Sequence, residues 1–187
     1  NEYFIFVKPD QDNTAIKQTA NFKIVEIPGG PYPLWEQFKL PRMAKLYNCD
    51  ILHCTSNTAP YSKKTPLVTT LHDIIYMEGS ISKLLMSKAS LYQKFGNLYR
   101  RIIVNKVVKN SKRLITVSNY EKENITNFFK LENKDIQTVH NGVNKTFKVS
   151  EDANQISRVK TKYKLPENYV LHIANKDPRK NTKKVLI

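Results

Sequence analysis

The stretch Arg113-Leu-Ile-Thr-Val-Ser-Asn-Tyr-Glu121 reads as a strand that runs directly into a helix. Residues 113–117 are short, mostly apolar and β-branched, as a buried strand requires. Ser118 then stands as N-cap with Glu121 three residues on, the spacing of a capping box, and residues 119–130 carry apolar side chains at helical intervals. A strand followed by a helix is half of a βαβ unit, so its sheet neighbours are expected to be parallel.

The same grammar extends in both directions. Apolar or aromatic runs of strand length fall at 3–7, 22–27, 50–54, 66–71, 136–140 and 169–174, and helical spacing marks 34–47, 90–110, 119–130 and 154–163. This alternation predicts an α/β fold built on a Rossmann-like, doubly wound parallel sheet, with ligands outside the carboxyl ends of its strands. Residues 146–164 are polar and mixed in charge, and read as an interdomain connection with a short helix. With five glycines the chain contains neither G-x-G-x-x-G nor a Walker loop, which removes the main support for a dehydrogenase or kinase reading.

The 187 residues are 40% hydrophobic and 10% aromatic, enough for a packed core, and carry a formal charge of +15 from 31 Lys and Arg against 16 Asp and Glu. Such a balance favours anionic partners: nucleotides, phosphosugars, nucleic acid or acidic lipid. A nonenzymatic polyanion- or nucleic-acid-binding α/β domain is therefore the alternative to an enzyme, although no nucleic-acid motif is present and the aromatics fall mostly in predicted strands and helix faces. Cys49 and Cys54 fit neither a C-x-x-C pair nor a zinc set and read as free thiols of a reducing compartment. No run reaches the ~18 apolar residues of a membrane span, so a cytoplasmic protein, soluble or peripheral to the inner face of the membrane, is expected.

Chemistry-bearing residues cluster where strands end. The strand at 67–71 delivers His72 and Asp73, an imidazole and a carboxylate suited to orienting a sugar hydroxyl or stabilising positive charge. Ser118 and Asn119 open a helix whose free N–H groups suit a ligand oxygen. Asn141-Gly-Val143 follows the strand at 136–140 as a turn and hinge. After the run at 169–174, Pro178 marks a turn, Asn181 or Thr182 caps a helix, and Arg179 and Lys180 stand beside that helix start, where they complement a diphosphate. Asp10-Gln-Asp12 invites a Mg²⁺ or Mn²⁺ reading but fits a polar turn better. The helix at 94–112 places Phe95, Leu98, Tyr99, Ile102, Ile103 and Val107 on one side and Arg100, Arg101, Lys109 and Lys112 around the rest. It reads as packed on the sheet with a solvated basic face, or as lying on an anionic membrane.

Four motifs in order resemble glycosyltransferase family 4, retaining enzymes of the two-Rossmann-domain GT-B type. Pro66-Leu-Val-Thr-Thr-Leu-His-Asp73 is similar to its P-x-V-x-T-x-H-D strand, Arg113-Leu-Ile-Thr-Val-Ser118 to its V-S strand-to-helix turn, and Val139-His-Asn-Gly-Val143 to its V-x-N-G-V entry to the linker. Residues 165–181, ending in Arg179-Lys-Asn181, are similar to the opening strand and R-K-N turn of its donor domain. The resemblance implies transfer of a hexose, mannose or glucose, from a nucleotide sugar of GDP-mannose or UDP-glucose type to a glycan or lipid-linked acceptor, with no metal cofactor and no nucleic acid partner, as in polysaccharide biosynthesis.

On this resemblance His72 is catalytic and faces the donor sugar, while Asp73, Ser118 and Asn119 line the acceptor side. Asn141, Gly142 and Val143 lie at the hinge, and Arg179 and Lys180 hold the donor diphosphate. The implied organisation is an acceptor-side domain at 1–145 lacking its first strand and helix, a linker at 146–165, and the start of a donor domain at 166–187. Such a piece is expected to be inactive alone. Ala174 stands where the family usually has Gly, and neither the glycine-rich loop after the first strand nor the E-x7-E segment of the donor domain is found.

Overall fold

The computed structural model describes residues 1–11, 16–62, 64–87, 89–145, 147–173 and 180–185. Two compact units divide between Asn141 and Gly142. In the first, β3 (Leu52–Cys54), β4 (Leu67–Leu71), β5 (Arg113–Thr116) and β6 (Ile136–Thr138) form a parallel sheet in that order, with Leu71 opposite Thr116 and Thr116 opposite Thr138. The inferred βαβ grammar is borne out: α4 (Leu91–Asn110) connects β4 to β5, and α5 (Asn119–Phe129) connects β5 to β6.

A parallel strand covered on both faces buries side chains on both, and β4 meets that condition. Leu67, Thr69, Thr70 and Leu71 are all buried, the Thr69 hydroxyl sharing a 2.9 Å hydrogen bond with Ser111 Oγ. From α4, Val104, Val107 and Val108 are fully buried. Each contributes roughly 1.5 kcal/mol or more by leaving water.

Local sequence accounts for the helix ends. Ser90 and Gln93 make a complete capping box at α4. At α5 only half of the expected box forms: Ser118 Oγ accepts from Glu121 N at 3.1 Å, while the Glu121 carboxylate is 3.5 Å from Asn124 Nδ2. The helix at 32–46 is continuous but uneven, with α1 (Tyr32–Leu34) and α2 (Leu40–Leu46) joined by a π turn at Trp35–Lys39. Pro41 has no N–H for the Gln37 carbonyl one turn earlier, and the wider turn lies immediately before it. α3 (Ile81–Met86) was not foreseen.

β1 (Tyr3–Val7) and β2 (Phe22–Glu26) pair in parallel as a separate two-stranded sheet. Ile27 and Phe6 nevertheless pack into the core formed with Trp35, Leu52 and Cys54, so both sheets share one interior. A cavity of about 1900 Å³ borders every residue of β1 and every residue of β3. Consecutive strand residues point to opposite faces, so a space touching all of them lies along the strand edges.

Three expectations are corrected. No strand forms at 169–173: Val170, Leu171 and Ile173 are 81–89% exposed, and no described residue of 142–187 offers a strand for them to pair with. Ala174 lies outside the described residues. Asn141 and Gly142 make no turn and adopt no positive φ, because the first unit ends there. Asn181 is left-handed, at φ 51°, and Thr182–Val185 is a 3-10 turn, so the α-helix that Asn181 or Thr182 was to cap is not seen among the described residues. Among the described residues of the second unit the α-helix is α6 (Ala153–Tyr163), capped by Asp152.

Candidate active site at the carboxyl ends of β4 and β5

β4 and β5 stop level with each other, and the residues just beyond the two strand ends form the site. His72 comes immediately after Leu71, next to the β5 register position of Val117. Its main-chain N–H donates to Asn57 Oδ1 at 2.6 Å and its Nε2 lies 2.8 Å from the Thr55 carbonyl. A carbonyl only accepts, so Nε2 carries the proton and Nδ1 is the ring's acceptor in the neutral form. Asn57 is held left-handed at φ 63°, its own N–H donating to Thr70 O at 3.1 Å, so the loop after β3 curls over the end of β4. His72 is exposed and its ring is tethered, which suits a group that must meet a ligand in one orientation.

Asp73 Oδ1 accepts from Ile75 N at 3.2 Å and turns the chain into the 3-10 segment Ile75–Met77. Tyr76 in that segment is 6% exposed, and its hydroxyl has no hydrogen-bond partner among the described residues. Burial first, and then the Asp73 carboxylate, push that phenol well above its ordinary range, while Arg100 opposes them. Across the β5 end, Ser118 is half-buried at its cap and Asn119 is exposed at the first turn of α5. His140 Nδ1, 3.2 Å from Val117 O, joins the end of β6 to the same place. His72, Asp73, Ser118 and Asn119 are thus collected at one end of the sheet.

The other sequence-derived residues stand elsewhere. Asn141 ends the first unit, Gly142 and Val143 open the second, and Lys180 is an exposed residue of that second unit. Arg179 lies outside the described residues, as does Asp12. Among the described residues no group of three or more His, Cys, Asp or Glu is placed to hold a metal.

Sequence reasoning missed Thr55 and Asn57, whose part depends on the loop after β3 reaching His72. It also missed Glu36, which is 1% exposed and accepts hydrogen bonds from Thr58 Oγ1 at 2.6 Å, Tyr32 Oη at 2.8 Å and Tyr99 Oη at 2.5 Å. A signal existed: Glu36, Leu40 and Ala44 recur every fourth residue, putting an acid on the apolar face of its helix. The 1900 Å³ cavity borders Glu36 and the edges of β1 and β3, but not His72 or Ser118. It is larger than the ~300–1,000 Å³ typical of small-ligand sites and runs along strand edges that have no ladder partner there.

A parallel α/β domain with polar groups gathered beyond the carboxyl ends of adjacent strands is a Rossmann-like ligand-binding domain. The chain belongs to glycosyltransferase family 4, whose profile matches residues 6–147. The protein is accordingly of the glycosyltransferase class, which moves a sugar from a donor to an acceptor. No match to a curated protein was found. Among the described residues no helix is long and apolar enough to cross a membrane.

Proposed function

We propose that this chain is the acceptor-side part of a retaining hexosyltransferase, which transfers mannose or glucose from a nucleotide sugar to a glycan or a lipid-linked acceptor. The observation that carries the reading is the convergence of His72 and Asp73 after β4 with Ser118 and Asn119 after β5, in a domain of a glycosyltransferase family. His72 faces the donor sugar near the carbon that changes partners. With Nε2 donating to Thr55, the ring presents Nδ1, which accepts from a sugar hydroxyl when neutral and offsets negative charge when protonated. Ser118 and Asn119 receive acceptor hydroxyls at the positive end of α5.

The donor diphosphate falls to Arg179 and Lys180, whose charges offset the leaving group as the glycosidic bond breaks. No described residue of 142–187 is buried, so Lys180 needs more packed protein around it than these residues supply. Residues 166–187 are on this reading the opening of a donor domain, and 146–165 the linker. Strand order supports the remaining part of the domain assignment. If one strand lies between the free edges of β1 and β3 and comes first in sequence, the seven-stranded order becomes 3-2-1-4-5-6-7, which begins with the doubly wound order 3-2-1-4-5-6.

The test is transfer from GDP-mannose and UDP-glucose by a form carrying an entire donor domain, with the product anomer assigned by NMR. His72→Ala is expected to lower kcat by about 10²-fold or more. Full activity in that variant removes His72 from the mechanism, and an inverted anomer overturns retention.

A further inference from the structure

α4 is apolar on two opposite sides. At about 100° per residue, Ile103, Val104, Val107 and Val108 centre on the direction that meets the sheet. Leu91, Phe95, Leu98 and Ile102 recur at intervals of four, three and four, and centre on the opposite direction. Their exposures are 85%, 60%, 37% and 51%, and Tyr92 beside them is 83% exposed. Reading one amphipathic side from Phe95 to Val107 is therefore corrected: core packing takes Ile103 and Val107, and leaves Phe95, Leu98 and Ile102 outside.

The outer stripe is about 16 Å long at 1.5 Å per residue. α3 is held near it. Lys94 Nζ donates to Leu85 O at 2.6 Å, and Arg101 donates to Glu78 O at 2.7 Å and Gly79 O at 3.1 Å. Leu85 and Met86, 60% and 87% exposed, add to the apolar surface.

The charge along the α3 and α4 segment has one sign. From Ile81 to Asn110 the sequence has seven Lys and Arg and no Asp or Glu. A second copy docked stripe to stripe would set these cations against each other. An anionic bilayer answers both features, because apolar side chains enter the headgroup boundary while Lys and Arg stay at phosphate level.

We propose that the α3–α4 surface docks on an anionic lipid bilayer, with Leu91, Phe95 and Ile102 immersed in the interface and Lys109 facing lipid phosphates. This goes beyond the transfer reaction and stands whether or not the sugar reading holds.

The test is cosedimentation of the 187-residue chain with phosphatidylcholine vesicles, with and without about 30% phosphatidylglycerol. Binding is expected only to the anionic vesicles, weakening with salt, and falling about tenfold or more in Leu91→Ser/Phe95→Ser. Circular dichroism of that exposed double variant is expected to be unchanged. In Phe95→Trp, where the introduced indole adds to the signal of buried Trp35, brominated lipid is expected to quench emission. No binding to anionic vesicles, or equal binding by the double variant, overturns the proposal. So does light scattering that shows a dimer of the parent chain dispersed by the two serines, which would assign the stripe to a second copy.

Discussion

Thr58 Oγ1 donates to Glu36 Oε1 across 2.6 Å, in a place where both residues are buried and no cation is within ion-pairing distance among the described residues. The Tyr32 and Tyr99 hydroxyls and Gln37 Nε2 complete the shell, and Gln37 also reaches Ala59 O and Tyr61 N. One carboxylate therefore ties the helix at 32–46 to the loop after β3 and to α4. Since that loop also holds His72 through Thr55 and Asn57, the cluster supports the candidate site from behind.

Glu36→Ala leaves the buried Thr58 hydroxyl and the half-buried Tyr99 and Gln37 groups without their acceptor and is expected to lower stability by about 2 kcal/mol. Glu36→Gln keeps the shape and one acceptor and is expected to cost less. Urea unfolding of both variants checks the order, and equal midpoints for Ala and the parent would refute the latch.

Ser118 has two assignable roles, and substitution separates them. Ser118→Ala loses the N-cap of α5 and is expected to cost about 1 kcal/mol. Ser118→Asp restores the cap and the stability, but places a carboxylate where an acceptor hydroxyl is proposed to bind. Its thermal midpoint should return while KM for acceptor stays raised. Recovery of both together would leave Ser118 with capping alone.

Partial burial holds the His53 imidazole below its ordinary value, with Nε2 2.9 Å from Thr70 Oγ1. The folded state therefore disfavours the protonated ring. The stability this contributes is complete above the unfolded pKa of about 6.5 and is lost as pH falls from there through the folded value. Thermal midpoints of the parent are expected to drop more than those of His53→Gln between pH 7.5 and 5.5. Parallel profiles would exclude His53 as the cause.

Cys54 is buried beside Glu36, and burial first and then that charge push its thiol up to about 12. Burial also raises Cys49. Both are free. Because only the thiolate attacks, Cys54 is expected to stay silent to a disulfide reagent at pH 8 until the chain unfolds. Rapid reaction of two thiols in the folded protein would show that the core around Trp35 opens readily.

The edge amides of β1 and β3 that border the large cavity have no ladder partner there, whereas β5 is paired on both sides. Hydrogen exchange is expected to be fast along one edge of β1 and β3, and slowest at Leu114 and Thr116. Uniform protection across all three strands would mean that the gap is closed in solution.

Much of the candidate site's placement was legible because its signals are local. His72-Asp73 and Ser118 each directly follow a short apolar run, and a strand end or a helix cap is set by residues within one turn. Other local signals failed where the described residues supply no partner to complete them. The apolar run at 169–173 has strand composition, but a strand exists only against another edge, and none is described beside it. Asn141-Gly142 has turn composition, but a turn forms when the chain must reverse.

The linear order of residues determined the alternation of strand and helix, the family, and the residues that end β4 and begin α5, because these depend on side chains adjacent along the chain. Tertiary structure decided what depends on residues far apart. The buried Glu36 takes its partners from 22 and 63 residues away, Thr55 and Asn57 reach His72 across 15 to 17, and α4 divides its apolar side chains between core and surface. Periodicity marks which residues share a helix face, but only packing against the sheet determines which face is covered, since burial depends on what the rest of the chain brings to that side.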